Sequence, residues 1–123
     1  MENQLLLAEY SQEITILMHA IKSREQVSEE QKIINAVCMA LNVKPSDLAS
    51  ISKAQEHTEA RQIIFNILYR RGYTLAAVGK LFNRDHTTVI HALRRYDNNI
   101  DSKDKKFAKK LALVNDKIEE LCV

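Results

Sequence analysis

Asn83-Arg84-Asp85-His86-Thr87-Thr88-Val89-Ile90-His91-Ala92-Leu93-Arg94-Arg95 is the stretch on which the reading of this 123-residue chain turns. The Asp85 carboxylate stands where it can accept from the amides two or three residues on, which predicts a helix with His86, Thr87 and Thr88 in its first turn. At 100° per residue, Val89, Leu93, Tyr96 and Ile100 fall on one narrow apolar stripe. Thr87, His91, Arg94 and Asn98 fall on the opposite side, with Arg95 at its edge. One face is built for a core, and the other presents short hydrogen-bonding groups followed by guanidinium groups. Such a face suits a helix whose N-terminal end enters a DNA major groove while its later turns meet phosphate. On periodicity alone, an ordinary amphipathic helix with a solvated polar side is the simpler account.

Working outward, Thr74 is placed to cap a short helix over residues 75–82. Asn83 and Arg84 then turn the chain into the Asp85 helix, giving a helix-turn-helix in which the small Ala76 and Ala77 allow close approach. Before it, Thr58 is expected to cap a helix running to about Arg71, ended by a left-handed Gly72, with Ile63, Ile64, Ile67 and Leu68 as its buried face. Ser28-Glu29-Glu30-Gln31 reads as a capping box, with Gln31 reaching back to the Ser28 amide. The helix it opens presents Ile33, Ile34, Val37 and Leu41 and ends at Asn42; Pro45 begins a short turn through Leu48. At the other end, Ser102 can cap a last helix with Phe107, Leu111, Val114, Ile118 and Leu121 in a three-four stripe. Residues 3–22 carry Leu7, Tyr10, Ile14, Leu17 and Ile21 at heptad spacing, which fits packing on the same domain, a homodimer seam or a dock for a protein partner.

Arg84-Asp85-His86-Thr87-Thr88-Val89, followed by His91-Ala92 and Arg94-Arg95, resembles the signature of the C-terminal DNA-binding domain of the bacterial replication initiator family DnaA. The resemblance extends through Glu59-Ala60-Arg61-Gln62-Ile63 and Leu75-Ala76-Ala77-Val78-Gly79-Lys80-Leu81-Phe82. A weaker match through Asn42-Val43-Lys44-Pro45-Ser46-Asp47-Leu48 carries it back to about Val27. It implies an all-α fold: a compact multi-helix domain over residues 27–123 with a DnaA-type, Trp-repressor-like helix-turn-helix. Residues 1–26 lie outside it, as a separate amphipathic helix. It also implies roles. Asp85, His86 and Thr87 would read base edges, the carboxylate accepting from cytosine and the Thr methyl touching a thymine methyl. Lys53, Arg61, Gln62, Arg84, Thr88, His91, Arg94 and Arg95 would meet the sugar-phosphate backbone.

The chain departs from the family between Ser50 and Glu59. That loop is rich in Arg in the family, one of them entering the minor groove, whereas here Lys53 stands among Gln55, Glu56, His57 and Glu59. Lysine lacks the planar fork that suits arginine to a narrow groove, so minor-groove reading should be weaker or altered. Asn83 alone stands where the family has a two-Gly turn, and the loop before Thr74 is a residue shorter.

Charge distribution agrees. The net charge is only +2, but residues 1–52 carry four Lys/Arg against seven Asp/Glu, residues 53–96 eight against three, and residues 97–123 six against six. The excess of cations sits in the segment holding the motif. Cys38 and Cys122 have no metal-ligand spacing and apolar neighbours, which predicts buried free thiols in a reducing, cytoplasmic interior; binding DNA would make the protein nucleoid-associated. No apolar run approaches the ~18 residues of a membrane span. Gly79-Lys80 is followed by Leu81 and lacks the glycine spacing of a nucleotide-binding loop. His86 and His91 lie about 140° apart on a helix, too far to share a metal. These observations predict no enzyme activity, no cofactor, no metal and no nucleotide. Sequence-specific binding of double-stranded DNA at DnaA-box-like sites, in control of replication or transcription, is the expected function. An interaction module that kept the fold but binds DNA weakly is the alternative, favoured by Glu56 and Glu59.

Overall fold

A computed structural model describes residues 28–122, with side chains to residue 121. The heptad stripe of Leu7 to Ile21 and the Cys122 side chain lie outside the described residues. Among those residues the chain is all-α with no strand: α1 (Glu29–Leu41), α2 (Pro45–Ala49), α3 (Gln55–Arg70), α4 (Leu75–Leu81), α5 (His86–Asp101) and α6 (Lys105–Cys122).

The centre is α3, which touches α1, α2, α4 and α5. Every residue from Glu59 to Asn66 is buried, polar ones included, as expected of a helix enclosed on all sides. Ile63, Ile64, Phe65 and Leu68 meet Ile33 and Val37 of α1, Leu48 of α2, Val78 of α4 and Val89 of α5 in one core. Phe65 and Phe82 pack at a tilt with ring centroids 5.4 Å apart. α6 lies along α1 and contributes Phe107 and Val114, the former edge-on to Tyr96 at 5.5 Å. Of the α5 stripe, Val89 is fully buried, Leu93 and Tyr96 pack against the core, and Ile100 is largely exposed. Cys38 is buried, and burial pushes its thiol up to about 11.

Helix ends follow local chemistry, with four departures from expectation. Ser28 caps α1 through the Gln31 amide, Asn42 ends it at φ 55, and Thr74 caps α4 through the Ala77 amide. Gly72 has the expected positive φ. The Gln31 side chain, however, donates to Asn35 Oδ1 at 2.9 Å instead of reaching back to Ser28. The long central helix starts a turn before Thr58. Ser52 Oγ accepts from the Ala54 amide and pairs with His57 Nδ1 at 2.7 Å, bracing the chain there, while Thr58 Oγ1 bonds back to the Gln55 carbonyl. Asp85 occupies the N-cap position of α5 without bonding its amides; its carboxylate faces His86 Nδ1 at 2.9 Å. Asp104, not Ser102, caps α6, accepting from the Lys106 and Phe107 amides. Ser102 closes α5 instead.

Glu29 ties the start of α1 to the turn between α3 and α4, where the Arg71 guanidinium and the Tyr73 hydroxyl donate to its carboxylate. The Arg71 bond, then the Tyr73 bond, hold the Glu29 carboxyl below its ordinary range. A depressed carboxyl pKa means that stability is present above the unfolded value and lost as pH falls through the folded one. Urea titrations at falling pH should therefore show wild type losing stability just below the ordinary Glu range. Glu29→Gln should lack that part of the loss; identical acid profiles would refute the coupling.

Candidate nucleic-acid interface

α4 and α5 form the helix-turn-helix. Asn83 takes the left-handed conformation at φ 53, a state asparagine tolerates better than most residues, so one residue serves as the turn. Close approach between α4 and that turn occurs at Gly79, not at Ala76 or Ala77, which are exposed. A Cβ on Gly79 would stand 2.4 Å from the Arg84 carbonyl oxygen. That tightness sets the direction in which α5 leaves the turn.

The first turn of α5 stands clear of the core. Asp85, His86 and Thr87, the three predicted base readers, are all exposed and adjacent. Beside them, between α3 and α5, lies a cleft of about 250 Å³. Its wall holds Arg61, Gln62, Arg84, Thr88, His91 and Arg95 together with Thr58, Phe65 and Ala92, and no carboxylate. Six of the eight predicted backbone residues are thus brought together. Lys53 joins Arg61, Arg84 and Thr88 in an adjoining groove of about 380 Å³. Arg94 is exposed but lines neither.

Within the cleft the nitrogen-bearing side chains differ in how they are held. Arg95 and His91 are exposed, whereas Arg61 is only 7% exposed and its guanidinium is spent internally. Its Nε donates to the Leu48 carbonyl at 2.8 Å and Nη1 to Ser52 at 2.8 Å, while Nη2 donates to Asp47 and Ser50, each at 3.0 Å. α2 is a single turn whose C-cap, the Ser50 amide, reaches only the Asp47 carbonyl, and a planar five-donor group from α3 meets that carbonyl and three others at once. Burial, then the nearby Arg84 charge, lowers the Arg61 pKa, but an arginine stays cationic regardless. Arg61, expected on phosphate, is here the pin of the loop between α2 and α3. Gln62 is likewise buried, its Oε1 accepting from Asn99 Nδ2 at 3.1 Å. Arg84 also turns inward, donating to the Phe82 carbonyl at 2.7 Å and to the Ser50 carbonyl already held by Arg61.

The acids near Lys53 are less of an obstacle than their sequence positions imply. Glu59 is buried against α6, where Lys110 Nζ approaches Oε2 at 2.5 Å and Gln55 Nε2 donates to Oε1 at 2.9 Å. His57 faces Ser52 and Asp47. Glu56 alone of these stays exposed. The partner of Glu59 lies 51 residues away, so no local pattern could have revealed it. Ile51, wholly outside the predicted set, projects from the same loop. Its signal was an isoleucine between two serines with no periodic apolar companion.

Among the described residues, no helix is long and apolar enough to cross a membrane, and no group of three His, Cys, Asp or Glu is arranged to hold a metal. Comparison with known proteins bears on the same region. Residues 30–95 match a family model described as the bacterial DnaA protein helix-turn-helix. The chromosomal replication initiator protein DnaA of Campylobacter jejuni (strain 81-176) is 29% identical over 120 residues, covering 89% of this chain and 25% of that protein. The protein of the same name from Rickettsia canadensis is 30% identical over 89 residues, covering 71% of this chain and 19% of that protein. The chain therefore spans a quarter or less of the length of these relatives. With more than half of its residues inside the matched region, and with the helix-turn-helix in place, the chain belongs to the bacterial DnaA helix-turn-helix family.

Proposed function

We propose that this chain binds double-stranded DNA in a sequence-specific manner, at DnaA-box-like sites, and so takes part in controlling replication initiation or transcription without an ATPase activity of its own. The observation that carries this reading is the exposed first turn of α5 beside a cation-lined cleft with no carboxylate in its wall. In this mechanism Asp85, His86 and Thr87 enter the major groove, while Thr88, His91, Arg94, Arg95 and Lys53 meet phosphate. Arg84 reaches the backbone from the lip of both grooves. Arg61 and Gln62 act from beneath, holding the loop and α5 in place. Pairing of Glu59 with Lys110 supports the reading, since it removes one of the two acids that would repel a duplex.

A mobility shift comparing a DnaA-box duplex with a scrambled one tests the proposal; equal binding to both, or none at low salt, would refute it. Thr87→Ala should cost about 1–3 kcal/mol on the preferred site and relax sequence choice. A uniform loss on specific and random duplexes alike would remove Thr87 from base reading. The second reading, an interaction module with weak DNA affinity, is favoured by the exposed Glu56 at the start of α3. If that reading holds, Glu56→Gln will leave duplex affinity negligible. On the first reading the same change strengthens it slightly, by removing a rim charge.

A further inference from the structure

Ile51 is 93% exposed. A single exposed aliphatic residue is ordinary on a protein surface. This one differs in how it is held. It sits in the loop between α2 and α3, and the carbonyls on both sides of it, Ser50 and Ser52, each accept from the buried Arg61. Arg84 adds a second bond to Ser50, and the Ser52 amide donates to Ser50 Oγ at 3.2 Å. The backbone flanking Ile51 is thus fixed, and a β-branched side chain has few rotamers to lose. The protein spends a buried guanidinium to present an apolar group to solvent, where it adds nothing to the core.

Its surroundings indicate what it meets. Ile51 lines the groove of about 380 Å³ that also holds Lys53, Arg84, Asn83 and Thr88, with no carboxylate among the lining residues. An apolar tip on a cationic rim matches a surface that is anionic at its edges and hydrocarbon within. The DNA minor groove has that character: phosphates flank it and deoxyribose C–H groups wall it, and proteins place aliphatic side chains there.

We propose that Ile51 is a minor-groove contact, packing on the deoxyribose walls beside Lys53 while the first turn of α5 occupies the neighbouring major groove. This rests on the DNA-binding reading above, and it gives the loop an apolar means of engaging a groove for which Lys53 alone is poorly suited. Fluorescence anisotropy on a DnaA-box duplex compares wild type with Ile51→Ala, and distamycin serves as a minor-groove competitor. The expected result is about tenfold weaker binding by Ile51→Ala, the order expected for losing one buried aliphatic side chain. Melting temperature should be unchanged, because the side chain is exposed. Saturating distamycin should weaken wild type and bring the two proteins to equal affinity, while Ile51→Leu stays close to wild type. Equal affinity of wild type and Ile51→Ala, or a difference that survives saturating distamycin, would overturn the inference and leave DNA binding standing. Absence of any duplex binding by wild type would overturn both.

Discussion

Arg61→Ala should lower unfolding free energy by about 3 kcal/mol, because several carbonyls lose a charged donor and those buried with it have no water to replace it. For a domain of this size that corresponds to a fall in melting temperature on the order of 15 °C. The four acceptors, on Asp47, Leu48, Ser50 and Ser52, span the end of α2 and the loop that carries Lys53. Duplex affinity should fall as well, on every sequence, since the loop would no longer hold its shape. Arg61→Lys keeps the charge without the planar fork and should recover only part of the stability. The contrasting outcome is well defined. An Arg61→Ala protein that melts like wild type, yet binds duplex with a salt slope reduced by about one, would make Arg61 a phosphate ligand after all. Chemical denaturation and a salt titration together decide between the two.

Gly79→Ala should be the next most damaging change, although it adds a single methyl group. The added Cβ would stand 2.4 Å from the Arg84 carbonyl oxygen and 3.4 Å from Val89 Cγ2. The first of these is backbone, so no side-chain rotation relieves it. That backbone is also fixed from behind, because the Arg84 amide donates to the Gly79 carbonyl at 2.8 Å. Overpacking of this kind costs about 1–3 kcal/mol, despite the gain in helix propensity that alanine brings elsewhere. The displaced turn should also re-aim α5, so duplex affinity should fall further than the loss of folded protein explains. Urea midpoints and anisotropy measured on the same samples separate these effects. A Gly79→Ala protein as stable as wild type would mean that α4 and the turn separate at little cost.

What could be read from the sequence was local. The α5 stripe, the Ser28 and Thr74 caps and the left-handed Asn42 and Gly72 each depend on residues within a turn or two of one another. The paired helices followed from them, while the all-α fold class was what the resemblance carried by the Arg84–Val89 motif implied. Readings failed where a nearby group competed for the same atom: His86 draws the Asp85 carboxylate away from the helix amides, and Asp104 lies better placed than Ser102 for the start of α6. The fold brings most of the expected contact residues together around α5, but how each side chain is held could not be read from their spacing. Arg61 and Arg95 look alike in a charge count, yet one is enclosed by carbonyls 9 to 14 residues before it and the other is exposed. Such differences come from tertiary packing, which no spacing rule encodes.

The Ser50 carbonyl accepts from Arg61 and from Arg84, so one oxygen joins the segment bearing Ile51 and Lys53 to the turn that launches α5. On the proposed reading these two parts form a fixed gauge along the duplex. Adding one base pair between the portions of a site that they touch would shift one against the other by about 3.4 Å, and rotate it as well. A gauge closed by a shared oxygen cannot stretch to follow, so the permissible sites are set by length as much as by letters.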